Sequence, residues 1–230
     1  MTKIYKPANK DELKELIQNS EVKLGDIDTS LITDMSKLFA EDKREDFSGI
    51  ESWDTSHVTD MSHMFEEAVN FNHHIGNWNT AQVTNMSGMF LMAIKFNQPL
   101  ENWDTSMVSD MSLMFCTAKS FNQPLEKWDV SVVRRMNHMF NGANAFNQPL
   151  EGWDVSRVTD MSEMFAETAA FDQPLEKWDV SGARNMSFMF QEAVSFNQPL
   201  GKWDVSGVRN MISMFAGAEK FNQPLEKWHT

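Results

Sequence analysis

Apolar positions recur along this chain on a fixed beat. Trp stands at 53, 78, 103, 128, 153, 178, 203 and 228, and Phe at 71, 96, 121, 146, 171, 196 and 221, each at an unbroken spacing of 25 residues. One clear unit reads FNQPLENWDTSMVSDMSLMFCTAKS, from Phe96 to Ser120. An earlier, degenerate copy, IDTSLITDMSKLF, begins at Ile27, with Ile27 in the Trp position and Ile32 in the Val position. The charged stretch EDKRED that follows it reads as an irregular loop. Self-similarity at a fixed period marks a solenoid, whose units bury their apolar faces only against their neighbours.

Within a unit the apolar period changes once. Trp103 and Thr105, or Trp128 and Val130, alternate with polar residues as a short half-buried strand does. Met111, Met114, Phe115 and Ala118 then follow at i, i+3, i+4 and i+7, the spacing of one helix face. Asp60, Asn85, Asp110, Asp160, Asn185 and Asn210 precede that pattern as N-caps, with Arg135 breaking the column. Pro99, Pro124, Pro149, Pro174, Pro199 and Pro224 stop the helix and fix φ before the next strand. The pattern therefore predicts an α/β solenoid, a right-handed leucine-rich-repeat-like stack of strand-helix units. The hand follows from the rule for parallel strands joined by helical crossovers.

Stacked copies should also align Asn72, Asn97, Asn122, Asn147, Asp172, Asn197 and Asn222 in an amide ladder serving loop backbone groups. Residues 1–25 read as an N-terminal capping helix segment, with Asn9 and Glu12 forming a capping box ahead of Leu13, Leu16 and Ile17. Residues 26–230 read as the repeat solenoid, its first copy (26–46) degenerate and its last incomplete. The stretch LEKWHT follows the last repeat with no polar helix over it, and reads as a native blunt edge, a truncation or a contact site for end-to-end self-association.

Composition narrows the classes of function. With 41% hydrophobic residues, 8 Trp and 17 Phe, the chain has material for a core and is not disordered. The single cysteine, Cys116, forms no internal disulfide, and no apolar run reaches signal-peptide or membrane-spanning length. A cytoplasmic location is the expectation, or the cell surface if a leader has been removed. The net charge of −13 argues against nucleic acid or an anionic membrane and for a basic protein partner. Residues 1–75 carry −8 of it (8 basic against 16 acidic), leaving −5 for residues 76–230.

The motif FNQPLxxWDVSxVTxMSxMF, repeated from about Ile27 to Trp228, resembles the signature of the BspA-like leucine-rich-repeat family of bacterial proteins. The resemblance implies a leucine-rich-repeat-like solenoid and, in members that are surface lipoproteins or adhesins, a ligand-binding role.

Most polar residues recur in every copy and so serve the repeat itself. No catalytic, cofactor-binding or metal-binding residue is assigned, and the chain reads as non-enzymatic. Adjacent His73 and His74 point to opposite faces on an extended segment, a poor metal pair. Cys116 has no basic neighbour at helical spacing to activate it. The Met columns read as core.

The candidate surface is a partner-binding concave face built from Asp54, Asp104, Asp129, Asp154 and Asp179, with Met107, Val132 and Arg157 beside them. Each Asp receives a partner's Lys or Arg, takes part in a metal ladder, or accepts local hydrogen bonds, beginning with the Ser two residues on; the last reading is the blandest. The functional expectation is a protein-binding module. Its most concrete form is an acidic intracellular inhibitor or immunity protein that neutralises a basic protein such as a nuclease toxin. A surface adhesin is the alternative.

Overall fold

The computed structural model describes residues 3–226 and 228. One α-helix, α1 (Lys10–Gln18), begins the stack, and two short 3-10 turns follow at Leu24–Asp26 and Ile50–Ser52. Asn9 caps α1: its side chain accepts from the Glu12 amide at 3.0 Å, and the Glu12 carboxylate accepts from the Ala8 amide at 2.8 Å. Leu13 and Ile17 turn their faces into the core, at 0% and 4% exposure. Among the described residues no helix is long and apolar enough to cross a membrane.

The strand-helix unit does not form. After Gln18 no α-helix occurs among the described residues, and strand pairing is reduced to isolated parallel bridges, one per coil, from Asp34–Asp60 to Asn185–Asn210. The stretch expected to be helical is a train of β-turns. In residues 61–68, the Met64, Glu66 and Ala68 amides donate to the carbonyls of Met61, His63 and Phe65, three residues back. The amides between them, Met61, His63, Phe65 and Glu67, donate out of the coil to the carbonyls of Asn85, Ser87, Met89 and Leu91 in the next. The Ser62 amide donates to the Asp60 side chain at 2.8 Å. All eight consecutive N–H groups are thus satisfied without one i→i−4 bond, meeting the requirement that buried backbone be paired.

The backbone shows what breaks the helix. His63 and Glu67 take φ of 55° and 54°, and the equivalent residues of the other coils are left-handed too, including Leu113 (60°), Thr117 (57°) and Phe188 (58°). One left-handed residue every few positions ends any right-handed helix. Apolar residues at i, i+3, i+4 and i+7 still face inward, because each turn returns the chain to the same side. The expected N-caps therefore cap turns, Cys116 lies in the turn train, and the crossover argument for a right-handed α/β stack has no helices to act on.

Packing is by columns. Phe65, Phe90, Phe115, Phe140, Phe165 and Phe190 stack at 5.5–5.8 Å between coils. Each ring also lies against the Phe of its own coil's FNQP segment, as Phe115 does on Phe121 at 4.0 Å. Such burial contributes roughly 2–3 kcal/mol per ring and about 0.5–1.5 kcal/mol more per well-placed pair. Every Trp indole N–H donates back to the preceding coil, Trp103 to Ile75 at 3.1 Å and Trp128 to Leu100 at 3.0 Å. Two residues past the Trp position, which Ile27 fills in the first copy, buried Thr29, Thr55, Thr80 and Thr105 each donate to the next coil's backbone at 2.9 Å. From Val130 onward buried valines hold that position.

The stretch expected to be irregular is tied down. Arg44 donates to Asp42 at 2.9 Å and to the Ile17 carbonyl at the end of α1, also at 2.9 Å. Its guanidinium lies 5.1 Å from the Phe39 ring centroid and 5.6 Å from that of Phe47. A single side chain thus joins cap, first coil and core, through charge-assisted hydrogen bonds and cation–π contact.

Candidate binding surface

The polar face is built by a three-residue turn, Asp-x-Ser, that follows Trp53, Trp103, Trp128, Trp153, Trp178 and Trp203. Trp128 is buried at 3%, so Asp129 next to it faces out and Val130 faces in. Asp104 accepts from the Ser106 amide at 3.0 Å and hydroxyl at 2.6 Å. Asp54, Asp154 and Asp179 make the same pair of bonds to Ser56, Ser156 and Ser181. Asp129 accepts from the Ser131 amide at 2.9 Å.

At four of these turns the bonds favour the charged form. The Ser hydroxyl first, then the Ser amide, hold the carboxyls of Asp54, Asp104, Asp154 and Asp204 below the ordinary value of 3.8. Asp28, bonded to Ser30 and paired with Lys6, is lowered to about 2. Each carboxylate spends one oxygen on its own turn, and the column, interrupted at Asn79, stays exposed.

The remaining candidates flank this column. Met107 is 54% exposed, Val132 is half-buried and Arg157 is exposed, on the same turn position of three successive coils. Arg134 is exposed nearby, whereas Arg135 is drawn to Asp110 of the preceding coil, donating through Nε at 3.0 Å. The Arg135 break in the cap column is thus a bridge between coils. The structure therefore brings the five aspartates into one column with Met107, Val132 and Arg157 at its side.

Other polar groups are committed to the stack. The Asn ladder forms: Asn72, Asn97, Asn122, Asn147, Asp172 and Asn197 each accept, through a side-chain oxygen, the amide 25 residues on, at 2.9–3.0 Å. Gln98, Gln123, Gln148, Gln173, Gln198 and Gln223 donate to the same oxygens. His73 accepts from the Phe47 amide at 3.3 Å. Burial pushes the Cys116 thiol up, away from nucleophilic character. Among the described residues no group of three His, Cys, Asp or Glu side chains is arranged to hold a metal ion.

Two features escaped sequence reasoning. The joining role of Arg44 occurs once, so no periodicity announces it. The left-handed columns did leave a signal: Gly88, Gly142 and Gly217 sit in them, at φ of 60°, 66° and 72°.

A family model described as "Mycoplasma protein of unknown function, DUF285" matches residues 11–100, 33–153 and 144–230. No curated protein and no solved structure matches. The three overlapping matches run through the coils described above, and the chain belongs to that repeat family, DUF285.

Proposed function

We propose that this protein is a non-enzymatic binding scaffold whose Asp column engages a basic protein. The observation that carries this reading is the exposed line of Asp54, Asp104, Asp129, Asp154 and Asp179, with four of its turns closed by both Ser bonds. A pre-ordered line of negative charge attracts a cationic surface at long range, and a rigid support loses little entropy on docking. Met107 and Val132 add the apolar contact, and Met and Arg are favoured interface residues. The most concrete form is an inhibitor or immunity protein that masks a basic protein such as a nuclease toxin, acting in the cytoplasm.

The resemblance of FNQPLxxWDVSxVTxMSxMF to BspA-like repeats supports a second reading, an adhesin-type repeat that meets its ligand at the cell surface. Both readings use one surface and differ in the partner.

The test is association kinetics with a basic protein recovered from the native host at low salt. Raising ionic strength should slow association and leave dissociation nearly unchanged. The folded triple variant Asp104→Asn, Asp129→Asn, Asp154→Asn should lose on-rate. Salt-independent association, or a complex that leaves the Asp column in solvent, overturns the proposal.

A further inference from the structure

Arginine is placed unevenly over this molecule. The chain has six, and two of them serve the stack: Arg44 pairs with Asp42, and Arg135 with Asp110. The other four, Arg134, Arg157, Arg184 and Arg209, are exposed, one in each of four successive coils. None of the four makes an ion pair among the described residues, in a chain with 33 acidic and 20 basic residues. Arg134, Arg184 and Arg209 share one column, and Arg157 lies two residues before it. In earlier coils that column holds Thr59, Thr84 and Ser109, whose hydroxyls donate to the preceding coil's backbone at 3.2–3.3 Å. The cationic row therefore begins abruptly at Arg134 and runs beside the Asp column in the C-terminal half alone.

Arg184 shows how one head group is held. Its Nη1 donates to the carbonyls of Ala183 at 2.9 Å, Ser181 at 3.2 Å and Gly207 at 3.4 Å. A Cβ at Gly207 would stand 2.6 Å from that nitrogen, so the missing side chain is what lets the guanidinium lie across the next coil. Nε and Nη2, the edge that takes a carboxylate through two parallel bonds, have no partner among the described residues. Asp179 reaches the same Ser181 through its amide at 3.1 Å and its hydroxyl at 2.6 Å, and does not pair with Arg184. Each of these opposite charges is tied to the turn that lies between them.

An unpaired row of this kind is unfavourable by itself. Like charges opposite one another on adjacent strands are destabilising. Arg184 and Arg209 stand in that relation, the Arg209 amide donating to the Arg184 carbonyl at 2.8 Å. An anion seated on the row turns that repulsion into attraction.

We infer that the row of Arg134, Arg157, Arg184 and Arg209 takes the carboxylates of an acidic segment in the same protein whose basic segment docks on the Asp column. The inference rests on the proposed use of that column and makes the partner's surface two-signed. Because the Asp column runs along the stack and the Arg row covers only its last four coils, the partner's direction along the molecule is fixed as well. A nucleic acid would set its phosphates against Asp129, Asp154 and Asp179 as much as against the arginines. A polypeptide changes sign from one residue to the next, and alternate side chains of an extended segment point to opposite sides.

The probes are two capped peptides of about eight residues, one of alternating Glu and Lys and one of Lys alone, long enough when extended to cover a row of about 15 Å. A single-stranded oligonucleotide of similar length is the third. Each is titrated into the full chain at low salt, and binding is followed by the arginine Nε–H resonances. The alternating peptide should bind more tightly than the all-Lys peptide and shift the Arg184 Nε–H signal. Arg184→Gln should weaken the alternating peptide about fivefold and leave the all-Lys peptide no weaker. A folded Gly207→Ala variant keeps the net charge, dislodges the Arg184 head and should weaken the alternating peptide in the same direction.

Three results overturn the inference: an alternating peptide that binds no better than all-Lys, an Arg184 signal that does not move, or an oligonucleotide that binds as tightly as the alternating peptide. The all-Lys peptide separates the two readings. If it binds and the alternating peptide gains nothing over it, the Arg row fails alone; if neither peptide binds, the reading of the Asp column fails too.

Discussion

The coil around Phe115 and the coil around Phe215 share a sequence pattern and differ in their neighbours. Phe115 is 0% exposed, between Phe90 at 5.5 Å and Phe140 at 5.7 Å, with Phe121 at 4.0 Å. Phe215 has Phe190 at 5.6 Å and Phe221 at 4.1 Å, lacks a ring on its far side among the described residues, and is only half-buried. The Trp residues repeat the contrast, Trp128 at 3% exposure against half-buried Trp228. Identical residues therefore contribute differently, because the stabilising unit is the interface between coils.

The largest test of that contrast is Phe115→Ala, expected to cost about 3–5 kcal/mol, whereas Phe215→Ala should cost well under half as much. Chemical denaturation of the two variants checks this, and equal losses would show that the terminal face is covered in solution. Trp128→Ala should likewise cost about 3–5 kcal/mol, since it opens a cavity and leaves the Leu100 carbonyl without its indole donor. Trp228→Ala should fall below it in the same assay.

Next in size is Gly142→Ala, expected to lose about 1–2 kcal/mol by forcing a Cβ into the left-handed region at φ 66°. An unchanged Tm would mean that the backbone of this turn relaxes.

The smallest effect sharpens the contrast between the two halves of the stack. Thr105→Val imitates Val130, removes one hydrogen bond to Asp129, and should shift stability by no more than about 1 kcal/mol. The acid limb provides a further check. Asp28, Asp54, Asp104, Asp154 and Asp204 have folded values below the ordinary 3.8, so their contribution is present above that value. It is lost as pH falls from about 4 towards 2, which thermal melts across that window will record.

Much of this architecture was legible in the sequence because repetition reports neighbours. Trp, Phe and Met at a fixed period identified the buried columns, and Asn at the same period implied the ladder. The turn-closing Asp residues were equally readable, since a Ser two residues on states the local bond. The helix was misread for a definite reason. Apolar residues at i, i+3, i+4 and i+7 satisfy a helix and a train of inward-returning turns equally well, and only φ separates the two. Leu113, Glu163 and Phe188 concealed the left-handed column that Gly88 occupied openly. Arg44 was unreadable because its partners, Ile17 and two Phe rings, converge only after folding.

The forward-pointing amides do not act alone. Against the four that point towards the C-terminus at each interface, one backbone amide, the Asn-ladder amide and the Trp indole point back, as those of Arg134, Asn122 and Trp128 do, so the bond dipoles of the stack largely offset one another, unlike those of an α-helix. The electrical asymmetry of the molecule is therefore carried by its side chains, since residues 1–75 hold −8 of the −13. On a charged support it should orient with its α1 end towards the positive side.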